Sequence, residues 1–296
     1  MRFFLFWVLV SISSVTLAET TLKISTLYPP GSAAVTSLQS AAESIRQQTN
    51  GNVVLKVYPG GVMGDDSTVM RKMRIGQLHG ALLSGTGLDL ITDDLKDLSK
   101  PFQFDRIEQV YEARQTLDTD FRQRLAEEGW TAFGPLDGGF SYLMSKRPLS
   151  DLEAVRNTRL WLPNTRDIQK MADSLNVDYL VMNIGDVLTG LDTGAIDSLI
   201  APPSAAFTLN WHSRFDYITQ TPVLYTWGML VMPDRVFRPL SDAERETVVS
   251  ALTQWSDELD QRLRADNQKA RQAINQLLEP NTFDASDINA LRTSQR

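Results

Sequence analysis

Five aromatic residues are the strongest candidates for chemistry in this sequence, because each lies at or near the end of a predicted strand. They are Tyr28, Trp161, Trp211, Tyr225 and Trp227. Aromatic rings with a polar tip make good walls for small-molecule pockets. Their type and placement therefore predict noncovalent binding of a small molecule. A position in the hydrophobic core is the alternative, above all for Trp227.

Signatures of catalysis are mostly absent. The chain has two histidines, His79 within a predicted strand and His212 in the segment Asn-Trp-His-Ser-Arg. No G-x-S-x-G, HExxH or phosphate-loop motif occurs. Asp65 and Asp66 could serve a metal, but Asp65 directly precedes a predicted helix, where a capping carboxylate needs no ligand. The sequence therefore predicts a protein that is not an enzyme and has no cofactor or metal.

Two segments of alternating strands and helices must position the candidate residues. Residues 157–203 predict strands at 158–162, 177–182 and 195–201 with helices between them, and residues 22–83 repeat the same order. Such alternation predicts a parallel sheet whose ligands bind beyond the carboxyl ends of its strands. Two such units predict an α/β fold of the two-lobe periplasmic-binding-protein type, with a cleft between the lobes.

The remaining elements connect these units. Residues 107–128 predict a helix that breaks near Asp118, and Asp137-Gly138 is expected to separate the strands 130–136 and 139–144. The strand 223–232 is expected to return to the first lobe. Ser241 and Glu244 form a capping box that opens a helix persisting to Leu278. About 35 residues at 1.5 Å each span roughly 50 Å, so this helix must kink or lie across both lobes.

The first eighteen residues have the pattern of a cleaved secretory signal peptide. Arg2 is followed by an apolar run at 3–10, and Thr16-Leu17-Ala18 is a cleavage site. The mature chain is thus expected to begin at Glu19 in the periplasm. An uncleaved anchor is the alternative, although the apolar run is too short to span a bilayer. The predicted lobes are 19–140 with a return at about 223–255, and 141–222 with about 256–296.

Composition excludes other classes of function. The chain has no cysteine and a formal net charge of −7, which becomes −8 when residues 1–18, with Arg2 as their one charge, are removed. Disulfides and lipoprotein anchoring are therefore impossible. Nucleic-acid binding demands clustered lysine and arginine, so no nucleic acid is expected as a partner.

Six motifs along the chain, specific only in combination, carry a family resemblance. They are LKI (22–24) with YP (28–29), VYPGGVMGDD (57–66), MRIGQL (73–78), YLMSKRP (142–148), DVLTGL (186–191) and TGAID (193–197). With them the chain resembles the periplasmic solute-binding proteins of TRAP transporters, in the family named after dicarboxylate-binding members. The resemblance implies two lobes joined by crossing strands, a long C-terminal helix over both, and closure on a solute. It also implies a monomer that hands a small organic solute to the small and large membrane subunits of the transporter.

One departure from the family pattern concerns the charge of the solute. The family usually has an arginine that pairs with a ligand carboxylate where this chain has Trp161. A second arginine, common in sialic-acid-binding relatives, falls at Ser141, and the usual asparagine falls at Ala201. The pocket is thus expected to be less cationic and more aromatic, with a carboxylate as one candidate solute. Arg159, expected on the same face as Trp161, or Arg166 could replace the missing arginine; Arg159 could equally pair with a neighbouring acid.

The predicted ligand-binding residues are Tyr28, Ser84, Gly85, Ser141, Arg159, Trp161, Asn164, Trp211 and Tyr225. Two alternatives to transport stay open at this point. A signalling receptor could recognise the same closed form, which would make the protein a periplasmic sensor. A periplasmic enzyme on the same scaffold is the third reading, and the lack of a triad, metal cluster or paired catalytic acids argues against it.

Overall fold

The computed structural model describes residues 19–92, 95, 98–163, 166–281 and 283, and of Arg166 and Asp167 only the backbone. The predicted signal peptide and Asn164 lie outside the described residues. The helices are α1 (Ala33–Gln48), α2 (Asp66–Arg74), α3 (Gly85–Leu88), α4 (Ile107–Glu127), α5 (Leu152–Arg156), α6 (Arg166–Ser174), α7 (Val187–Thr193), α8 (Pro203–Thr208) and α9 (Asp242–Leu277). The strands are β1 (Thr20–Thr26), β2 (Val53–Tyr58), β3 (Gly80–Ser84), β4 (Trp130–Ser145), β5 (Leu160–Leu162), β6 (Tyr179–Val181), β7 (Ser198–Ala201), β8 (Tyr217–Thr219), β9 (Leu224–Pro233) and β10 (Glu279–Asn281).

Strand β4 belongs to two sheets. The first sheet has the order β2-β1-β3-β9-β4, and the second continues as β4-β7-β5-β6, with β8 beside β4 and β10 beside β8. β4 pairs with β9 as far as Ser141 and with β7 from Tyr142 onward. The chain therefore crosses from one sheet to the other at this point of β4.

Strand directions place a cleft at this crossing. β3 and β4 are both antiparallel to β9, so β1 and β3 run in the direction of β4, toward the second sheet. β7 is antiparallel to β4 and parallel to β5, so both run toward the first sheet. The carboxyl ends of the two sets of parallel strands consequently point at each other, and those ends are where ligands bind in such sheets.

Local signals set the boundaries of the first helices. The Ser32 hydroxyl accepts a hydrogen bond from the Val35 N–H at the start of α1, and the Asp65 carboxylate accepts one from the Thr68 N–H at the start of α2. Both side chains satisfy backbone donors that the first helical turn leaves unpaired. The predicted cap at Asp65 is confirmed.

Two predicted interruptions are wrong. Helix α4 continues through Asp118, whose carboxylate pairs with Arg114 one turn earlier, at 3.0 Å from Nη2 to Oδ2. β4 continues through Asp137-Gly138, which the strand accommodates as an irregularity in its pairing with β9. Bulges insert a residue without ending a strand, so the polar pair bends β4 instead of dividing it.

Helix α9 contacts both sheets or their covering elements. Its predicted capping box is present, with the Glu244 N–H bonded to the Ser241 hydroxyl, and the helix then runs for 36 residues. It packs on α1, β4, α8 and β10. No described helix combines the length and apolarity that a membrane span requires.

The two faces of the second sheet differ in what covers them. Tyr142, Trp161 and Ala201 belong to one buried cluster, which also contains residues of α7, α8 and α9. Leu143 and Ile200 belong to a cluster with α5 and α6 on the other face. Because side chains alternate between faces along a strand, Trp161 and Ala201 share a face with Tyr142.

Candidate functional site

The carboxyl end of β3 carries a hydrogen-bonded polar cluster. The Ser84 hydroxyl donates to Asp66 Oδ2 at 2.6 Å, the Ser84 N–H donates to the same oxygen at 3.2 Å, and the Gly87 N–H donates to the Ser84 hydroxyl at 3.0 Å. Burial raises the pKa of Asp66, while its bonds from Ser84 act in the opposite direction. No lysine or arginine of the described chain pairs with Asp66. Its carboxylate can therefore accept a hydrogen bond from a solute.

Asp66 is a candidate that the sequence associated only with a possible metal pair and not with solute binding. The sequence offered one signal, the acidic pair with Asp65, and that pair was explained by the cap alone. The structure separates the two carboxylates by function. Asp65 caps α2 from outside the helix, whereas Asp66 turns toward Ser84, 18 residues later in the chain.

Gly85 and Trp227 are in close contact. A Cβ atom added to Gly85 would lie 2.5 Å from Trp227 Nε1, which is too close for any side chain. The Trp227 indole donates to the Ser99 hydroxyl at 2.7 Å and stacks on Phe121 at a centroid distance of 5.0 Å. Trp227 is therefore a core residue, as the alternative held, and it requires glycine at position 85.

Tyr28 follows the carboxyl end of β1 and is half-buried. Its backbone N–H donates to the Thr26 hydroxyl at 3.1 Å, and its carbonyl accepts from the Gly60 N–H. Burial first, and then the nearby negative charge of Asp137, raise the pKa of Tyr28 to about 12. The phenol is thus neutral near pH 7 and can donate a hydrogen bond.

Trp161 and Trp211 meet at the second sheet. Their rings lie edge to face with centroids 5.5 Å apart, and both side chains are buried, Trp161 being 4% exposed. The Trp161 indole N–H donates to the Met182 carbonyl at 3.2 Å. The single donor of this side chain is already used, so Trp161 offers an apolar face and no replacement for a guanidinium.

Arg159 lies at the opposite end of β5 from the cleft. Its guanidinium pairs with Asp197 Oδ2 at 3.0 Å and its N–H donates to Asp197 Oδ1 at 2.8 Å. Both residues precede the amino ends of their strands. This is the structural pairing with a neighbouring acid that the sequence left open, and the geometry does not favour a role for Arg159 in binding.

Ser141 and Tyr225 differ from Trp161 and Trp211 in the contacts that their side chains make. Ser141 is buried and by strand alternation faces the side of Leu143, away from Trp161. The Tyr225 hydroxyl donates to Asp137 Oδ1 at 2.6 Å, and burial together with the Asp137 charge raises its pKa. Tyr225 is therefore part of a buried polar network.

An apolar cavity of about 60 Å³ lies on the face of the second sheet opposite Trp161. Its walls include Leu143 and Ile200 from the sheet, Met171 from α6, and the rings of Phe102 and Phe283. A cavity without polar partners does not hold ordered water. This space belongs to the core under α5 and α6 and is separate from the strand ends.

The histidines have structural partners. His79 Nδ1 accepts a hydrogen bond from the Lys23 N–H at 3.0 Å, and His212 packs on the Phe207 ring with centroids 4.5 Å apart. Within the described ranges, no group of three or more His, Cys, Asp and Glu side chains could hold a metal ion.

Comparisons with known proteins place this geometry in a family. Residues 24–295 match the DctP family, described as bacterial extracellular solute-binding protein, family 7. The sialic acid-binding periplasmic protein SiaP of Vibrio cholerae is 22% identical over 248 residues, which are 81% of this chain and 75% of the relative. The C4-dicarboxylate-binding periplasmic protein DctP of Rhodobacter capsulatus is 22% identical over 235 residues, covering 78% and 70%.

Solved structures share the fold. A TRAP periplasmic solute-binding protein from Sulfurospirillum deleyianum with bound succinate has a TM-score of 0.80 at 17% identity, covering 94% of this chain and 92% of its own. A second from Citrobacter koseri, with bound D-glucuronate, has a TM-score of 0.80 at 20% identity and covers 93% of each chain. The predicted two-lobe α/β fold with a long C-terminal helix is confirmed, and so is the predicted extracytoplasmic family. The chain belongs to family 7 of the bacterial extracellular solute-binding proteins.

Proposed function

We propose that the protein captures a small organic solute in the cleft between its two lobes and delivers it to the small and large membrane subunits of a TRAP transporter. The observation that carries the proposal is the set of strand carboxyl ends that point at each other across β4. The first sheet contributes Asp66, Ser84 and Tyr28 there. The second contributes the faces of Trp161 and Trp211, with Asn164 retained as a further expected contact.

These groups suit a solute with a flat ring face and hydroxyl groups. Asp66 accepts a hydrogen bond, the neutral Tyr28 phenol donates one, and indole faces stack on apolar ring surfaces. The related proteins are named for sialic acid and C4-dicarboxylates, and the solved neighbours hold succinate and D-glucuronate. A hydroxylated ring compound is therefore the solute class to examine first, with the acids bound by the neighbours as probes.

We propose further that the protein is a monomer without catalytic activity. Both histidines are engaged by structural contacts, and the Ser84 hydroxyl bonds to the Asp66 carboxylate, with no histidine in contact with it among the described residues. The lobes are proposed as 19–140 with 223–255 and 141–222 with 256–296. The change of strand pairing in β4 between Ser141 and Tyr142 supports this division.

Native mass spectrometry of protein purified without refolding tests the proposal. A retained small molecule of unchanged mass after prolonged incubation is expected, whereas its conversion would favour an enzyme. Solution scattering should then give a smaller radius of gyration at saturating solute, because a ligand shifts the open–closed equilibrium by its greater affinity for the closed form. An unchanged radius would argue against closure. The same material should begin at Glu19 by Edman sequencing, and Met1 would indicate an uncleaved anchor.

A further inference from the structure

Asp137 of β4 is fully buried and lies where three other elements converge. Its carboxylate accepts hydrogen bonds from the Tyr225 hydroxyl of β9 at 2.6 Å, from Asn267 Nδ2 of α9 at 3.1 Å and from the Tyr111 hydroxyl of α4 at 3.4 Å. No lysine or arginine among the described residues pairs with it. A buried carboxylate without a cation depends on all its donors, because each unsatisfied bond carries a desolvation cost.

Arg114 of α4 joins this carboxylate to the rest of the network. Its guanidinium donates to Asp260 Oδ1 at 3.0 Å, to the Pro135 carbonyl at 2.8 Å and to the Tyr225 hydroxyl at 3.3 Å. Asp260 Oδ1 in turn accepts the backbone N–H of Asp137 at 2.8 Å. Polar networks of this kind are strong when complete and costly when partly satisfied. The elements that supply the members are therefore held in one arrangement.

Helix α9 presents a polar face to β4 on both sides of the crossing. Asp260, Asn267 and Arg271 recur at helical spacing. Asp260 and Asn267 bond to Asp137, which pairs with β9, whereas the Arg271 guanidinium lies 3.8 Å from the ring centroid of Tyr142, which pairs with β7. The same helix face thus contacts β4 before and after it changes sheets.

A glycine allows α9 to approach this closely. Gly139 has a φ of +78°, and a Cβ atom there would lie 2.8 Å from the Asn267 side chain. Its position in β4 is two residues past Asp137. The backbone of the crossing strand is therefore shaped to receive Asn267.

We propose that this hinge network, defined as Asp137, Tyr225, Asn267, Asp260 and Arg114, sets the affinity for solute by fixing how β4, β9 and α9 sit relative to one another, and thereby the balance between open and closed forms, without contacting the solute. The inference rests on the proposed function of solute capture. It gives Tyr225 a positioning role in place of the predicted direct contact. A residue that changes the open–closed equilibrium changes the apparent affinity for every solute by the same factor.

A distance measurement on solute-free protein tests the closure part directly. The chain has no native cysteine, so Gln48→Cys in α1 and Lys170→Cys in α6, both exposed, can carry a pair of spin labels. Asn267→Ala is expected to shift or broaden the distance distribution measured well below its melting temperature, which should itself fall because Asp137 loses a hydrogen-bond donor. Asn275→Ala, an exposed asparagine on the same helix, is the matched control and should leave the distribution unchanged. An unchanged distribution in Asn267→Ala overturns the proposal.

Binding measurements test the affinity part. Succinate, D-glucuronate and D-galacturonate are titrated into the wild type, Asn267→Ala, Tyr225→Phe and Asn275→Ala. The first two variants are expected to bind each active solute roughly tenfold more weakly, within the usual range of coupling, with the ratio between solutes unchanged. Unchanged affinities, or a changed ratio that indicates direct contact, would overturn the inference. A wild type that binds none of the three would count against the proposed solute class, while the distance measurement still decides the role of the network.

Discussion

The two groups of strand ends that meet at the cleft follow the same order of strands and helices but have opposite chemistry. At the first sheet, Ser84 and Asp66 form a compact polar cluster in which the carboxylate keeps accepting capacity. At the second, Trp161 and Trp211 pack edge to face and the indole donor is already bonded. The fold thus places the two groups at facing strand ends, and under the proposed function the polar group orients the solute while the aromatic group covers it.

The two halves also differ in how their charged groups are paired. In the second half, the charged groups near β5 and β7 pair with each other at the amino ends, as Arg159 and Asp197 do. In the first half, an unpaired carboxylate lies at a carboxyl end. Substitutions in the two halves should therefore change affinity and stability in different proportions.

The largest effect is expected from Trp161→Ala. Loss of a buried indole and its contact with Trp211 should lower the free energy of unfolding by about 3–5 kcal/mol. Loss of the aromatic face should weaken binding on the order of 2–4 kcal/mol. Urea unfolding and calorimetric titration at low temperature measure the two quantities. Trp255→Ala is the control, because Trp255 is equally buried but bonds to Ser37 under α1; it should lose stability and retain affinity.

Gly85→Ala should have the next largest effect. The new methyl group would overlap the Trp227 indole, whose nearest atom lies 2.5 Å from the Cβ position. Overpacking of this kind costs about 1–3 kcal/mol, measured by thermal or urea unfolding. Gly185→Ala, where nothing lies within 4 Å of the new atom, should be close to neutral. Equal stability of the two variants would contradict the close contact at the end of β3.

Asp66→Asn should change both affinity and the pH dependence of stability. Burial raises the pKa of Asp66 in the folded protein above its ordinary value of 3.8, so the folded state binds this proton more tightly than the unfolded chain does. Its contribution to the free energy of unfolding is then most favourable below that ordinary value and falls as the pH rises toward the raised one.

The asparagine variant removes this titration, so its stability should fall less as the pH rises above about 4. Burial also raises the pKa of Asp118, so the stability of the variant should still fall somewhat as the pH rises. Affinity for a hydroxylated solute should fall by about 1–2 kcal/mol, because the new acceptor is uncharged. Unfolding curves at several pH values and titration at neutral pH check the two effects. An identical pH profile in both proteins would show that Asp66 is not the group responsible.

Arg159→Ala should have the smallest effect. Its side chain is 59% exposed, and Asp197 keeps a second cation in Arg147 at 3.6 Å. Exposed ion pairs contribute about 0–1 kcal/mol and weaken as salt rises. The free energy of unfolding should therefore change by less than about 1 kcal/mol, and the affinity for solute should not change. Abolished binding in Arg159→Ala with normal binding in Trp161→Ala would overturn the aromatic interpretation and indicate a carboxylate solute held by Arg159.

The sequence by itself determined the alternation of strands and helices and several of their boundaries. Strands and helices alternate in residues 22–83 in the predicted order, and the caps at Asp65 and Ser241 lie where predicted. Gly194 ends α7 at a φ of +74°, as its lack of a side chain favours. Each of these features depends on neighbours within a few residues, so the local pattern contains all the information that sets it.

Only the tertiary structure decided which side chains meet. Asp137 bonds to Tyr225 across 88 residues and Arg114 to Asp260 across 146, and the pairing of β4 with β9 continues past Asp137, where the sequence predicted a break. The placement of Trp161 against Trp211, of Asp66 against Ser84 and of Arg159 against Asp197 was likewise absent from the local pattern. The physical reason is that a side chain's partner is chosen by strand order, register and helix packing, and those depend on the whole chain.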